Sequence, residues 1–329
     1  MQTFRALEVT KPGSDYQVAL VERDEGALGP GEVTIGVRYS DLNYKDGLVM
    51  SGRFDLVRSF PMIAGIDLVG EVVGSSVPEV REGQLVTVNG WGMGTDHPGG
   101  LATLARVPAE WVTAVPERID ALSAAAIGTA GYTAALAVVA LRLHGVTPEH
   151  GPVLVTGASG GAGSVAVMLL AACGFEVVAS TGRRAGEELS LLELGASHVV
   201  DRLELLPDGV LGKPRWAAAI DTLGSRALAT VLAEVHYGGA VAAMGMAMGV
   251  DLPTFMVPFI SRGVSLLGID SVLAPVGSRR AAWQLLDERL DLEALARVTE
   301  VVTLAQAPSK ALEVMAGRVR GRVVVDVAA

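Results

Sequence analysis

The sequence predicts an α/β protein with two parts, a doubly wound parallel sheet and a smaller, partly open β-barrel. Between residues 153 and 269, apolar strands alternate with helical segments, which is typical of a parallel sheet covered by helices on both faces. Before residue 119, short alternating strands are separated by glycine and proline turns instead. A length of 329 residues allows two domains, and a hydrophobic content of 50% fits this class.

The first part of the chain, residues 1–119, is predicted to be mostly β. Apolar and polar residues alternate at 17–22, 32–38 and 84–89, with a turn such as 28–31 between runs. A glycine-rich segment follows at 90–100, and we expect it to be a mobile loop suited to a substrate edge. Its His97 is expected to be solvated, with a proton relay as the alternative.

The clearest signal in the chain is the stretch 153–166. An apolar run at 153–156 predicts a buried strand, a small-residue turn follows, and 164–174 is predicted to be a helix. The turn has the spacing Ala158-x-Gly160-x-x-Gly163, which is the dinucleotide fingerprint with Ala at its first position. Glycines let the backbone approach a pyrophosphate, and the free N–H groups of the helix start attract it. We therefore predict a Rossmann cofactor site that includes Ser159, Gly160, Gly161, Ala162 and Gly163.

The end of the next predicted strand, 175–180, indicates which dinucleotide binds. NAD-dependent proteins place a carboxylate there to hold the ribose 2′-hydroxyl. This chain has Ser180, Thr181, Gly182 and Arg183 at that place. Hydroxyl and guanidinium groups suit a 2′-phosphate, which a carboxylate would repel. The sequence therefore favours NADPH, and the alternative is a structural turn with solvated arginines.

The remaining segments complete both parts. An alanine-rich helix is predicted at 120–143, with an interruption at 128–132. Further helices are predicted at 187–194, 225–234 and 278–290, and further strands at 198–201, 216–221, 240–244, 264–269, 299–304 and 322–326. From this alternation we place the Rossmann domain at 120–272 and assign residues 1–119 and 273–329 to the barrel domain.

Composition and charge exclude several classes of function. A net charge of −10 argues against a nucleic-acid surface. Because Cys173 is the single cysteine, a disulfide framework and a clustered-cysteine metal site are excluded. Its apolar neighbours in the sequence predict a buried residue that only packs. No uninterrupted apolar segment has membrane-spanning length, and residues 1–5 contain no signal-peptide core. We expect a cytoplasmic protein with no membrane and no nucleic-acid partner.

These features together resemble the medium-chain dehydrogenase/reductase superfamily over the whole chain, which implies a GroES-like barrel as the catalytic domain. Within it, the chain is most similar to the zinc-free branch of acrylyl-CoA reductases and quinone oxidoreductase-like proteins. The segments that carry this closer resemblance lie at 40–47, 51–54, 60–67, 99–102, 178–183, 237–242, 267–271 and 317–322.

The chain departs from the zinc alcohol dehydrogenases at each ligand position. Asn43 stands where those enzymes have a zinc-binding cysteine, Gly65-Ile66-Asp67 replaces their Gly-His-Glu, and no cysteine lies near Gly128. A catalytic zinc needs about three protein ligands. The resemblance therefore implies metal-free chemistry, in which a polarised carbon–carbon double bond is reduced.

The resemblance implies that NADPH delivers a hydride to the β-carbon of an enoyl thioester. Acrylyl-CoA would thereby become propionyl-CoA after protonation at the α-carbon. Tyr44 is the first candidate for the nicotinamide pocket, as a wall or as a proton donor through water; the alternative is an aromatic residue that only packs. Asn43 is expected either to hydrogen-bond in the pocket or to serve as a turn residue, and Asp67 either to act there or to anchor a turn. For Lys45 and Asp46 we expect a structural ion pair.

Further contacts follow from the resemblance alone. Residues that match the family's dinucleotide contacts are Thr181, Gly182, Arg183, Arg202, Met246, Ile260, Ser271 and Arg318, in addition to Tyr44 and the glycine turn. A CoA thioester is a polyanion, so cations should bind it. Arg53 and Arg280 are the candidates we select, and Arg58 and Arg279 are also available.

Two other functions remain open from the sequence. The same zinc-free site suits an NADPH:quinone oxidoreductase, and some zinc-free relatives are non-catalytic, crystallin-like NADPH-binding proteins. Relatives pair across a two-fold axis close to the strand predicted at 264–269, so a homodimer is expected by analogy.

Overall fold

The structure, a computed structural model, describes residues 3–205 and 209–329. The chain forms two compact units. One, which we name the barrel unit, contains the residues up to Thr129 together with Leu295–Ala329, and the other, the Rossmann unit, is Ala130–Ala294. The boundaries near residues 119 and 272 that we inferred from the sequence remain a prediction about where independent domains divide.

Within the described residues, the strands in chain order are β1 (Thr3–Thr10), β2 (Gln17–Asp24), β3 (Val33–Asp41), β4 (Met62–Ile63), β5 (Asp67–Ser75), β6 (Leu85–Asn89), β7 (Leu104–Val107), β8 (Thr113–Ala114), β9 (Val153–Thr156), β10 (Val177–Thr181), β11 (His198–Asp201), β12 (Trp216–Asp221), β13 (Val235–Ala243), β14 (Ser265–Gly268), β15 (Thr299–Thr303) and β16 (Arg322–Asp326). The helices are α1 (Tyr44–Ser51), α2 (Ala121–Leu143), α3 (Gly161–Ala172), α4 (Arg184–Glu193), α5 (Ser225–Glu234), α6 (Val257–Arg262), α7 (Val276–Arg289), α8 (Leu292–Arg297) and α9 (Ala307–Met315).

The barrel unit is built on a seven-stranded sheet. Its order is β15-β16-β3-β5-β6-β8, and β7 also pairs with β3; β2-β1-β4 form a second, three-stranded sheet. The C-terminal strand β16 runs antiparallel to β3, with Val324 opposite Asp41. Both parts of the chain supply the core, in which Ile35, Leu68 and Val325 have no exposed surface. The last strand thus brings residue 322 to the end of β3.

The Rossmann unit contains a six-stranded parallel sheet in the order β11-β10-β9-β12-β13-β14. This is the doubly wound order, in which the first strand lies in the middle, the next strands are added on one side of it, and the later strands are added on the other side. The apolar run predicted at 153–156 is β9, and all of its residues are buried. The predicted fold class is therefore confirmed.

Helix α2 passes from the barrel unit into the Rossmann unit. It is interrupted at Gly128, whose φ of 47° and ψ of −163° are not helical, so the predicted break at 128–132 is confirmed. The helix is long and apolar enough to cross a membrane, but 78% of its most apolar 18-residue window is buried inside the protein. It is therefore a core helix.

The helix predicted at 278–290 is α7, which lies in the Rossmann unit. Its Leu285 and Leu286 are buried, and its Arg279 donates to the carbonyls of Ser271 and Val272. One expectation about local structure needs correction. His97 is not solvated: it is 7% exposed, with Nδ1 2.9 Å from Pro98 O and Nε2 3.0 Å from Pro30 O. Its segment is packed against the barrel, since Met93 is also buried.

Candidate active site

The site in the barrel unit is organised around the start of α1. Strand β3 ends at Asp41, and Asn43 is the residue that precedes the helix. The backbone N–H of Asn43 donates to Asp46 Oδ2 at 2.8 Å, and the other oxygen of Asp46 accepts from the N–H of Ile66 at 3.0 Å. A carboxylate that accepts N–H groups at a helix start satisfies donors the helix leaves unpaired. Asp46 therefore binds backbone, where the sequence suggested an ion pair with Lys45.

The side chain of Asn43 bridges two buried carboxylates. Its Nδ2 lies 2.7 Å from Asp67 Oδ2 and 3.2 Å from Asp41 Oδ1. Its Oδ1 accepts from Nη1 of Arg322 at 3.4 Å. Asn43 is 8% exposed, and Asp41 and Asp67 are 0% and 2% exposed. The amide therefore supplies donors between carboxylates that would otherwise repel each other.

Asp67, the first residue of β5, accepts hydrogen bonds on both oxygens. Oδ2 accepts from Asn43 and from the N–H of Thr129 at 2.8 Å, while Oδ1 accepts from Thr129 Oγ1 at 2.6 Å and from Asn89 Nδ2 at 2.9 Å. Thr129 follows the non-helical Gly128 in α2. Asp67 thus ties three elements together: the start of α1, the end of β6 and the break in α2.

Arg322 closes the cluster from the C-terminal strand. Its Nη2 donates to Asp41 Oδ2, and its Nε donates to Ala126 O at 2.6 Å. The guanidinium is almost completely buried, which requires such partners. We call Asp41, Asn43, Asp67, Asn89, Thr129 and Arg322 the buried polar cluster. Of these, the sequence singled out only Asn43 and Asp67, although Arg322 ends one of the segments that carry the family resemblance.

Burial shapes the acid–base behaviour of the carboxyl groups. Removal from water, followed by the nearby charge of Asp67, raises the pKa of Asp41 well above its usual range, although Arg322 acts in the opposite direction. Burial also raises the pKa of Asp46 to about 7, against the hydrogen bonds it accepts from Asn43 and Ile66. Both groups therefore favour the protonated form more than an exposed aspartic acid does.

Tyr44 is the first residue of α1 and is 38% exposed, unlike the cluster beside it. Its position is fixed because the preceding residue, Asn43, is held by both its backbone and its side chain. Tyr44 is therefore a partly exposed tyrosine that directly follows a residue held in place by hydrogen bonds. This is an arrangement that suits contact with a ligand.

The donor set of the cluster does not suit a zinc ion. Zinc prefers cysteine, histidine and carboxylate ligands in a tetrahedral set. Here an amide and a guanidinium occupy the space between the carboxylates, whose oxygens accept hydrogen bonds from them. Within residues 3–205 and 209–329, no group of three or more His, Cys, Asp or Glu side chains is placed to hold a metal ion.

In the Rossmann unit, the glycine turn connects β9 to α3. The helix begins at Gly161, earlier than predicted, so Gly161, Ala162 and Gly163 form its first turn. A Cβ on Gly163 would overlap the carbonyl oxygen of Gly157, whereas a Cβ on Gly160 would lie 3.3 Å from that oxygen, a tight contact that a small shift would relieve. Gly163 therefore permits close packing of helix and turn, and the helix start offers N–H groups to an anion.

Polar groups meet at the end of β10. Ser159 Oγ lies 3.0 Å from Thr181 Oγ1 and accepts from Nη2 of Arg183 at 3.1 Å. The Arg183 guanidinium also lies 3.8 Å from the carboxylate of Glu187. Ser180 is fully buried, and within the described residues its hydroxyl has no hydrogen-bond partner. Hydroxyl and guanidinium groups are the kind that bind a phosphate, and contact of Ser159, Thr181 and Arg183 with a 2′-phosphate stays a prediction.

Of the other predicted cofactor residues, the structure shows one beside the end of β10. The Arg202 guanidinium lies beside Gly182, because a Cβ there would be 3.0 Å from it. Met246 and Ile260 are exposed by 58% and 76%, and the carbonyl of Ser271 accepts from Arg279. Arg318 is exposed and belongs to the barrel unit. Contacts of these five residues with a cofactor remain predictions.

The arginines proposed for the substrate differ in their availability. Arg53 and Arg280 are exposed. Arg279 is 5% exposed and donates to backbone carbonyls, and Arg58 lies 3.0 Å from a carboxylate oxygen of Asp96. Burial removes Arg279 from the candidates, while Arg53 and Arg280 stay predictions.

Comparison with known proteins places the chain in a family. The model of the alcohol dehydrogenase GroES-like domain matches residues 29–117, and that of the zinc-binding dehydrogenase matches residues 161–288. Acrylyl-CoA reductase AcuI of Ruegeria pomeroyi is 44% identical over 98% of this chain and 99% of its own length. The quinone oxidoreductase-like YhfP of Bacillus subtilis is 40% identical over 98% of both chains.

Solved structures agree with this placement. The crystal structure of Escherichia coli K-12 YhdH with bound NADPH has a TM-score of 0.95 and 45% identity, covering 98% of this chain and 99% of that chain. The structure of Bacillus subtilis yhfP with NAD bound has the same TM-score with 39% identity, covering 99% and 100%. The chain therefore belongs to the medium-chain dehydrogenase/reductase superfamily, in the branch that contains acrylyl-CoA reductases and quinone oxidoreductase-like proteins.

Proposed function

We propose that the protein is an NADPH-dependent, zinc-independent oxidoreductase that reduces an activated carbon–carbon double bond, with acrylyl-CoA as substrate and propionyl-CoA as product. The observation that carries this proposal is the contact of Asn43 with Asp67. These two residues stand at positions where zinc dehydrogenases have metal ligands, and here they hydrogen-bond to each other instead. Without a Lewis acid there, oxidation of an alcohol is disfavoured, whereas a thioester already polarises its double bond. The 44% identical AcuI of Ruegeria pomeroyi supports the choice of substrate.

The residues at the end of β10 support NADPH as the cofactor, which when bound supplies the hydride for the β-carbon. Arg183 and Thr181 would hold the 2′-phosphate, and the start of α3 would hold the pyrophosphate. No carboxylate stands at Thr181 to compete with that phosphate. The NADPH-bound YhdH structure supports this choice. Because the yhfP structure holds NAD, binding of NADPH and of NADH to this protein should be compared directly.

We assign contact with the reacting end of the thioester to Tyr44. Its phenol is exposed at the start of α1 and has a hydroxyl that can donate a hydrogen bond, directly or through water. Asn43 and Asp67 act on the reaction by orienting the segment that carries Tyr44. A proton must reach the α-carbon to balance the hydride, and Tyr44 is our candidate to relay it.

Steady-state oxidation of NADPH tests the proposal. We expect a higher kcat/KM with acrylyl-CoA than with a simple benzoquinone, and no effect of a chelator on either rate. A preference for benzoquinone would replace the substrate by that of a quinone oxidoreductase, which the 40% identical YhfP supports as second candidate. Saturable NADPH binding without turnover of either compound would indicate the crystallin-like alternative.

We also propose a cytoplasmic homodimer. Strand β14 is the outer strand of the Rossmann sheet, so its free edge is available for pairing across a two-fold axis. Light scattering on the purified full chain tests this proposal. A mass corresponding to one chain of 34.0 kDa would contradict it.

A further inference from the structure

An open pocket of about 790 Å³ lies in the barrel unit at the C-terminal end of α1. Its walls come from the turn between β1 and β2 and from the segment that follows α1, and they include Lys11, Asp15, Tyr16 and Phe54. Tyr44 stands at the other end of the same helix. A helix of eight residues is about 12 Å long, so the pocket and Tyr44 are separated by roughly that distance.

The segment after α1 has an unusual backbone. Gly52, Phe54 and Asp55 have φ angles of 69°, 66° and 49°, which lie in the left-handed region. Glycine adopts this conformation readily, but a bulky residue such as phenylalanine rarely does. Such a conformation costs free energy and persists only where surrounding contacts impose it.

Contacts with the turn between β1 and β2 impose this conformation. Oδ1 of Asp55 accepts from Lys11 Nζ at 2.9 Å and from the Tyr16 hydroxyl at 2.8 Å. The Tyr16 ring lies against Gly52 so closely that a Cβ there would overlap it, and it packs edge-on against Phe60 at 5.4 Å. Lys11 and Asp55 support each other electrostatically, because the pKa of Lys11 is raised and that of Asp55 is lowered by their contact.

The consequence is that Phe54 is held away from the core. Phe54 is 70% exposed although it lines the pocket, and a phenylalanine is usually more buried than this. The neighbouring Arg53 is exposed, and Lys11 keeps donors beyond those used for Asp55 and lies 5.0 Å from the Tyr16 ring centre. The carboxylate of Asp15 offers an acceptor in the same pocket. An exposed aromatic face, cations and an acceptor are the groups that bind a purine nucleotide.

We propose that this pocket binds the adenosine 3′-phosphate end of the CoA thioester. Phe54 stacks on the adenine, Asp15 accepts from its exocyclic amino group, and Arg53 with Lys11 contacts the phosphates. The pantetheine arm then spans the distance of about 12 Å to Tyr44, the exposed residue at the other end of α1. This inference rests on the proposed function, because it names how the same substrate is held at its far end.

The test compares two substrates that differ only in this end of the molecule. Acrylyl-CoA carries the adenosine phosphates, and acrylyl-pantetheine does not. For the wild-type chain we expect KM to be much lower for acrylyl-CoA. In Phe54→Ala the ratio of the KM for acrylyl-CoA to the KM for acrylyl-pantetheine should rise about tenfold, as loss of one base–aromatic stack predicts.

Matched variants control for effects on the fold. Phe54→Trp keeps an aromatic face and should restore the wild-type ratio. Phe255→Ala removes another exposed phenylalanine, in the Rossmann unit, and should leave the ratio unchanged. Inhibition by 3′-phospho-ADP should be competitive with acrylyl-CoA and weaker in Phe54→Ala, whereas 2′,5′-ADP should compete with NADPH equally in both proteins.

The outcomes separate this inference from the proposed function. Reduction of both thioesters by wild type with equal KM, or an equal change for both in Phe54→Ala, would overturn the pocket assignment alone. Failure to reduce either thioester would overturn the proposed function. In that case calorimetric titration of the full chain with 3′-phospho-ADP still decides the pocket, because wild type should bind it and Phe54→Ala should bind it about tenfold more weakly.

Discussion

Nδ2 of Asn43 lies 2.7 Å from Oδ2 of Asp67, and this contact joins the start of α1 to the start of β5. The same two side chains reach Arg322 on the last strand and Thr129 at the break in α2. Groups this far apart in the sequence are therefore fixed by one small set of hydrogen bonds. In a buried setting such bonds are strong, and their loss leaves unpaired polar groups behind.

The amide of Asn43 is expected to matter because it is an uncharged donor between two carboxyl groups, more than because of its size. Asn43→Asp replaces a donor by a further carboxylate beside Asp41 and Asp67, so we expect the free energy of unfolding at pH 8 to fall by about 3–5 kcal/mol. Urea unfolding measures this change. Asn43→Ala, which removes the donor without adding charge, should cost less, about 1–3 kcal/mol. The deficit of Asn43→Asp should shrink at pH 5, where protonation relieves the repulsion; a deficit independent of pH would contradict this explanation.

Asp46 should make stability depend on pH in a defined direction. Its pKa is about 7 in the folded protein and 3.8 in its ordinary state, so folding takes up a proton between these values. The stability it contributes is fully present below about pH 4 and is lost as the pH rises through about 7. We expect the free energy of unfolding of wild type to fall more steeply over this range than that of Asp46→Asn. Parallel curves for the two proteins would contradict the raised pKa.

The two halves of the molecule differed in how far the sequence could predict them. In the Rossmann unit, the strand, the glycine turn and the grouping of Ser159 with Arg183 follow from local patterns, because the residues lie on consecutive elements. The buried polar cluster depends on Asp41 and Arg322, which are 281 positions apart. Residues such as Asp, Asn and Thr at strand ends look like ordinary turn residues in a sequence. Only the pairing of β16 with β3 shows that they are buried together.

His97 shows the same limit on a smaller scale. A histidine in a glycine-rich segment resembles a solvated loop residue, since glycine clusters usually mark exposed turns. In the structure, its two ring nitrogens lie within hydrogen-bond distance of the carbonyl oxygens of Pro30 and Pro98. Its ring lies edge-on against Trp111. Pro30 is 67 positions away, so no local pattern could reveal this contact.

The close contact at Gly163 should be sensitive to a single methyl group. In Gly163→Ala the new Cβ would overlap Gly157 O and lie 2.8 Å from the Cα of Ala158, both of them backbone atoms that cannot easily move. We expect weaker NADPH binding, measured by calorimetry, and a melting temperature several degrees lower. Gly186→Ala is the control, because a Cβ at that helical position of α4 meets nothing within 4 Å. Wild-type NADPH affinity in Gly163→Ala would show that the turn does not hold the pyrophosphate.

Arg183 should decide between the two nicotinamide cofactors. Its guanidinium lies against Ser159 and beside Glu187, so it is held in place before a phosphate arrives. Loss of a hydrogen bond to a charged group costs about 1.5–3 kcal/mol, so we expect Arg183→Ser to weaken NADPH binding roughly 10- to 100-fold. NADH, which has no 2′-phosphate, should bind the variant as it binds wild type. Arg184→Ser is a matched control, because the Arg184 guanidinium lies instead beside Glu188 and Glu204. Calorimetric titration with both cofactors measures the effect, and an equal loss of NADPH and NADH affinity would show that Arg183 supports the fold of the turn instead of reading the phosphate.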